Sequence, residues 1–175
     1  MVKAVILAGG RGERLKPLTD SMPKPMLLVG GKPILWYCIQ LLKKHGVKEI
    51  ALAVHYLPEK IRDYFKDGSE FGVRLTYSIE EKPLGTAGAV KKLANFIGGE
   101  SFFVLYGDTL TAVDLGKMRV LLEKKKTAGV AGIAGILAVQ RKPTKKGGVA
   151  VGGDFRITSF EEDARREFAF SNAGV

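Results

Sequence analysis

Lys3-Ala4-Val5-Ile6-Leu7-Ala8-Gly9-Gly10-Arg11-Gly12-Glu13-Arg14 decides how the rest of the chain is read: a short apolar run that breaks into a glycine-rich, cationic turn. The run is continuous rather than alternating, as expected of a strand covered on both faces. Gly9, Gly10 and Gly12 let the backbone turn sharply and approach a ligand where a Cβ would stand in the way. Arg11, Arg14, Lys16 and Lys24 follow within one loop's length, with no comparable cluster of carboxylates beside them in the sequence. Exposed amides combined with guanidinium and ammonium groups suit phosphate. The loop is therefore read as one that handles a triphosphate.

Outward from this loop, Pro33 to His45 predicts a helix, with apolar residues at 34, 35, 38, 41 and 42 on one stripe and Gly46 as its stop. Glu49 to Val54 predicts a strand, Pro58 to Phe65 a helix, and Arg74 to Ile79 an alternating strand nearer an edge. The loop Glu80 to Gly88 feeds a helix through about Phe96, and Ser101 to Tyr106 is an apolar strand ending in Gly107-Asp108. A helix from about Asp114 to Lys126 follows, then a glycine-interrupted strand, Val130 to Val139. After a basic loop, Gln140 to Lys146, a hairpin is expected from Gly148 to Val151 and from Arg156 to Phe160, turning at Gly152-Gly153-Asp154. Strand and helix alternate four times before the pattern turns to β. This predicts an α/β fold: a Rossmann-like three-layer sandwich with a mostly parallel central sheet and ligands at the strands' carboxyl ends. With no repeat or linker, residues 1–175 read as one domain.

Of these 175 residues 46% are apolar and 26% charged, which is ordinary for a soluble globular protein. The lone Cys38 excludes an internal disulfide and falls on a predicted core face. With no leader pattern and no apolar stretch that could span a bilayer, the expected location is the cytoplasm and no membrane partner is expected. The net charge of +10 is spread over helix faces such as Lys43-Lys44 and Lys124-Lys125-Lys126, and no nucleic-acid-binding signature accompanies it. It suits anionic ligands in general, and nucleic acid is not expected as a partner. His55 and Tyr56 end a strand and either could face a cleft.

Two familiar phosphate loops fail on the opening turn. A P-loop needs Gly-Lys-Ser/Thr to close it, and a dinucleotide fingerprint needs a third glycine where Leu15 stands. What stands instead is Leu7-Ala8-Gly9-Gly10-x-Gly12-x-Arg14-Leu15-x-Pro17-Leu18-Thr19, then Pro23-Lys24-Pro25-Met26-Leu27, then Gly31-Lys32-Pro33-Ile34-Leu35. This closely resembles the signature of the sugar-1-phosphate nucleotidyltransferases, the NDP-sugar pyrophosphorylases. Glu81-Lys82-Pro83-Leu84-Gly85-Thr86-Ala87-Gly88 and Tyr106-Gly107-Asp108 resemble theirs too, in family order and across nearly the whole chain. The look is closest to the mannose-1-phosphate guanylyltransferases.

The resemblance implies the nucleotide-diphospho-sugar transferase fold. It also implies transfer of a nucleotidyl group from an NTP to a sugar 1-phosphate, with Mg²⁺ as cofactor and direct in-line attack. Such a reaction brings one anion to a phosphorus crowded by others, so catalysis is mostly charge neutralisation and positioning. The family's arginine and lysine that hold the triphosphate match Arg14 and Lys24, which are the expected catalytic residues. Leu7, Ala8, Gly9, Gly10, Gly12, Gly85 and Thr86 match its nucleotide-binding positions, and Thr86 could equally cap its helix. Asp108 matches the aspartate that binds the metal. GTP with mannose 1-phosphate is expected ahead of UTP or dTTP with glucose 1-phosphate.

For the sugar, Gly148, Glu162 and Asn172 match family positions, whereas Asp163 and Ala164 stand where the family has Lys-Pro. An aspartate there would repel a sugar phosphate, and Arg165 or Arg166 could substitute. Family members continue past the position of Val175 with further sheet and a second metal carboxylate, so the domain reads as cut short at its C-terminal end. The rivals to an active enzyme are a nucleotide-binding relative without catalysis and a basic nucleic-acid binder. A homo-oligomer is compatible with either of the first two readings.

Overall fold

The structure is a computed structural model; it describes residues 2–128 and 134–175, with the side chains at 146 and 162–166 outside the described part. Its contacts divide it into two units, Met1–Ala112 and Val113–Val175.

The first unit holds β1 (Lys3–Leu7), two single-turn 3₁₀ segments (Glu13–Leu15 and Lys24–Met26), and the short antiparallel pair β2 (Leu28–Val29) and β3 (Lys32–Pro33). α1 (Ile34–Lys44), β4 (Glu49–Val54), α2 (Pro58–Phe65), β5 (Arg74–Ile79), α3 (Gly85–Lys92), α4 (Ala94–Ile97) and β6 (Phe102–Tyr106) follow. The sheet runs β5-β4-β1-β6 with all neighbours parallel, so β5 is an edge strand as its alternation predicts. The chain moves outward from β1 to β4 to β5, then crosses back to lay β6 on the other side of β1. That reversal makes the β1/β6 boundary a topological switch point, where open parallel sheets leave a crevice.

Local sequence accounts for the helices. In α1 the buried residues Leu35, Cys38, Ile39 and Leu42 keep helical spacing. Its end is a Schellman motif, with Gly46 left-handed and Val47 N–H donating to the Leu42 carbonyl at 3.0 Å. α3 and α4 stand where one helix is expected. The step between them falls at Leu93, which is buried with Val5, Ala51, Ala53, Ala89 and Ile97 on one face of the sheet. Right-handed crossovers in opposite directions along the sheet put α1 on the other face. The expected three layers, with a parallel sheet between helices, are the observed ones.

The second unit contains α5 (Leu115–Thr127), capped by Asp114 Oδ1 accepting from Lys117 N–H at 2.9 Å, and two long antiparallel strands, β7 (Val139–Val151) and β8 (Ile157–Asn172). Two expectations change here. Residues 134–138 are not strand, and the rest of the expected strand from Val130 lies outside the described residues except Val139, which opens β7. The basic segment Gln140 to Lys146 is not a loop but part of β7, because β8 runs on to Asn172 and pairs Arg141 with Phe170 and Thr144 with Phe168. Pro143 lies in the register shift between those two pairs, where its missing N–H costs the ladder nothing. The hairpin turn is as expected at 152–154 but closes on Phe155, a left-handed residue with φ 63°.

Candidate active site

The four parallel strands end level: Leu7 pairs with both Ala53 and Tyr106, and Ala53 with Ser78. The ladder continues one step further, with Ala8 N–H donating to Ala53 O at 2.8 Å and Gly107 N–H to Leu7 O at 2.9 Å. Above that level the departing segments wall a cleft of about 320 Å³. Leu7, Ala8, Gly9 and Gly10 line it from β1, His55 from β4, Pro83, Gly85 and Thr86 from the loop after β5, and Asp108 from β6. The cleft therefore unites Leu7, Ala8, Gly9, Gly10, Gly85, Thr86 and Asp108, which the sequence had singled out on three separate stretches.

The glycines have different reasons. A Cβ on Gly9 would lie 3.3 Å from the His55 Cβ, so the loop passes close to the end of β4. Gly12 is left-handed at φ 66°, and a Cβ there would press on Thr19 and Lys24. Gly85 has open space around it but φ 68°, so its backbone angle is what calls for glycine. Thr86 is not a cap: α3 begins at Gly85 with Leu84 in the cap position and no side-chain cap bond. Thr86 sits inside the helix and lines the cleft, and the loop before it is braced by Glu80, whose Oε2 accepts from Leu84 N–H at 3.0 Å.

The cations are less bare than their sequence neighbourhood implies. Lys24 Nζ lies 2.8 Å from Asp108 Oδ2, a partner 84 residues away that the β1–β6 pairing brings alongside. Lys16 pairs with Glu13 at 2.8 Å; its hydrogen bond and charge hold the Glu13 carboxyl below its ordinary pKa. The Arg11 guanidinium lies over the Tyr56 ring, 5.5 Å from its centroid. Arg14 is exposed in the 3₁₀ turn, and Arg14, Gly12 and Lys24 are not among the residues that line the cleft. Pro23 and Pro25 flank Lys24, and Pro25 itself lines the cleft.

Sequence reasoning left His55 open and passed over Glu80. His55 Nδ1 is 2.7 Å from the Glu80 carbonyl, and Glu80 is only 6% exposed although the residue lines the cleft. The available signal was positional: both follow directly on the ends of parallel strands, where such sheets place ligand contacts.

In the second unit, Gly148 is buried, and a Cβ there would fall 2.5 Å from Phe168 Cδ2, so packing alone calls for glycine. Asn172 Oδ1 accepts from Gly174 N–H at 2.8 Å. Glu162, Asp163, Arg165 and Arg166 have side chains outside the described residues.

The family model described as nucleotidyl transferase matches residues 3–172. The chain belongs to this family, the sugar-1-phosphate nucleotidyltransferases. A D-glycero-alpha-D-manno-heptose 1-phosphate guanylyltransferase of Campylobacter jejuni is 40% identical over 99% of this chain and 74% of its own length. A UTP–glucose-1-phosphate uridylyltransferase of Synechocystis is 36% identical over 99% of this chain, which spans about half, 48%, of that protein. Among solved structures, HddC from Yersinia pseudotuberculosis complexed with GMP-PN matches with a TM-score of 0.74 and 30% identity, covering 99% of this chain and 74% of that one. Guanylyl and uridylyl members thus both stand among the relatives of this nucleotidyltransferase, and the nucleotide-diphospho-sugar transferase fold is the one observed.

Proposed function

We propose that the protein transfers a guanylyl group from GTP to a sugar 1-phosphate, mannose 1-phosphate or a closely related sugar, releasing pyrophosphate. The observation that carries this reading is the cleft in which two glycine-rich walls meet Asp108, whose carboxylate is paired from outside the lining by Lys24. A sugar phosphate oxygen forms the new bond to the α-phosphorus as the α–β P–O bond breaks. Lys24, with Arg14 once its exposed side chain turns inward, neutralises the departing pyrophosphate. Glu80 favours guanine: a carboxylate accepts, and guanine offers it two adjacent donors, N1–H and N2–H₂, whereas uracil offers one donor, N3–H, flanked by two carbonyl acceptors. The 40% identical heptose enzyme is named a guanylyltransferase, which supports the same base.

A divalent cation fits the donors only in company. Among the described residues no three His, Cys, Asp or Glu side chains gather. Mg²⁺, however, takes one carboxylate together with phosphate oxygens and waters. Asp108 would hold it, and the ion would supply charge neutralisation on the phosphates. This composition suits a cation that arrives with the nucleotide.

The test is pyrophosphate release over a panel of GTP, UTP, dTTP and ATP against mannose, glucose and heptose 1-phosphates with Mg²⁺. GTP-dependent release that needs both substrates and metal is expected. NTP binding by calorimetry without release would favour the non-catalytic relative, and a faster reaction with UTP would overturn the base assignment.

A further inference from the structure

Tyr56 follows β4 and belongs to no motif, yet its side chain meets both ends of the phosphate-binding loop. Its hydroxyl lies 2.9 Å from the carbonyl oxygens of both Thr19 and Asp20, sharing one proton between two acceptors. Its ring lies under the Arg11 guanidinium at 5.5 Å. Between these contacts runs the segment 11–20, whose own bonds are local: Thr19 Oγ1 donates to Gly12 O at 3.0 Å, and Leu18 N–H to Leu15 O at 3.0 Å. Thr19 is 1% exposed, and its methyl fills the space where a Gly12 Cβ would stand.

We propose that Tyr56 is a positioning residue for nucleotide binding, fixing the segment that carries Arg14 to the sheet and orienting Arg11 toward the phosphates. A loop whose bonds are all internal can keep its shape and still swing as a body. A hydroxyl anchored at the end of β4 removes that freedom before the ligand arrives, which lowers the ordering cost of binding. The aromatic face occupies one flat side of the Arg11 guanidinium, leaving its in-plane N–H donors to an anion. Tyr56 touches no reacting atom and acts through Arg11 and the loop. The inference rests on reading this cleft as the NTP site.

The experiment uses the full chain with Tyr56→Phe, Tyr56→Leu, Arg11→Ala and the Arg11→Ala/Tyr56→Leu double variant. GTP with Mg²⁺ is the calorimetric probe, and amide hydrogen exchange is followed in nucleotide-free protein. Tyr56→Phe, which keeps the ring, is expected to weaken GTP binding about five- to tenfold, the loss typical of one hydrogen-bond donor, and to raise KM with little change in kcat. Exchange in segment 11–20 should speed up about tenfold while β1 and β4 keep their protection. Arg11→Ala should cost affinity in the wild-type background and almost nothing beside Tyr56→Leu, a coupling that a merely structural tyrosine would not produce. Wild-type exchange in segment 11–20 of Tyr56→Phe, or additive Arg11 and Tyr56 effects, overturns the assignment. A wild-type protein that binds no NTP overturns the functional reading instead, and the exchange measurement still decides whether Tyr56 anchors the loop. Should Tyr56→Leu fail to fold, Tyr56→Phe alone carries the test.

Discussion

Lys24 Nζ and Asp108 Oδ2, 2.8 Å apart, tie the Pro23-Lys24-Pro25 turn to the end of β6 across the switch point of the sheet. Both side chains are about one-third exposed, at 32% and 34%, so the pair sits at the cleft's edge, open to exchange with ions from solvent. A divalent cation held by Asp108 would have to compete with Lys24 for that carboxylate until a triphosphate offered the ammonium another anion. Lys24→Met is therefore expected to tighten Mn²⁺ binding to the nucleotide-free protein severalfold, while lowering pyrophosphate release by about 10²-fold or more. Asp108→Asn should remove that tightened Mn²⁺ binding. Electron paramagnetic resonance of free Mn²⁺ reads the first effect directly; an unchanged or weaker affinity in Lys24→Met would rule out the competition.

The buried Glu80 should set the choice of base. Glu80→Gln keeps an oxygen for Leu84 N–H but replaces one acceptor with a donor. Sites built to hydrogen-bond a substrate lose discrimination steeply when that pairing is altered, so the GTP-to-UTP ratio of kcat/KM is expected to fall at least about tenfold. An identical ratio in the variant would take Glu80 out of base recognition.

Much of the first unit was legible because its signals are local. Apolar runs, Pro33 and Pro58 near helix starts and Gly46 at a stop mark β4, α2 and β5 to the residue and α1 to within one. The second unit was harder to read. Whether Gln140 to Lys146 is loop or strand depends on a partner some thirty residues on in β8, and a Lys- and Pro-containing segment carries no period of its own. The site divides along the same line. Glycines and Asp108 announce themselves by motif, whereas the Lys24 ion pair, the Glu80 brace and the Tyr56 anchor exist only once parallel strands bring distant residues together.

Cys38 gives a pH-dependent prediction. Its Sγ lies 3.5 Å from Thr109 O and 3.7 Å from Tyr106 O, beneath the turn that carries Asp108. Burial, with the Asp108 charge as a smaller push, raises the thiol from 9.0 to about 12. The folded chain thus keeps a proton that the unfolded chain releases. The stabilisation is complete below about pH 9 and is lost as pH rises toward 12. Denaturant titrations between pH 8 and 10.5 should show falling stability in the wild type and a shallower fall in Cys38→Ala. Tyr77, also raised by burial to about 12, adds to the slope in both proteins. Equal slopes in the two proteins would mean the thiol is not held neutral by the fold.

Gly10 and Gly12, two residues apart, differ in what a side chain would meet. Gly12 is left-handed, and a Cβ there would meet Thr19 Cγ2 at 3.0 Å and Lys24 Cβ at 3.1 Å. Gly12→Ala should therefore lose about 1–2 kcal/mol from the left-handed angle alone, a drop of roughly 2–8 °C in Tm. It should also weaken NTP binding, because one of the two neighbours displaced is Lys24. Gly10 has no atom within 4 Å of its Cβ position and is not left-handed, yet it lines the cleft. Gly10→Ala should leave Tm within about 1 °C, the usual range for a substitution that breaks no contact. Its methyl would nevertheless stand where the phosphates approach the backbone, and NTP affinity should fall about tenfold or more. Scanning calorimetry and NTP titration on the two variants check both halves. Wild-type affinity in Gly10→Ala would show that no ligand comes against this backbone, whatever Gly12→Ala does to stability.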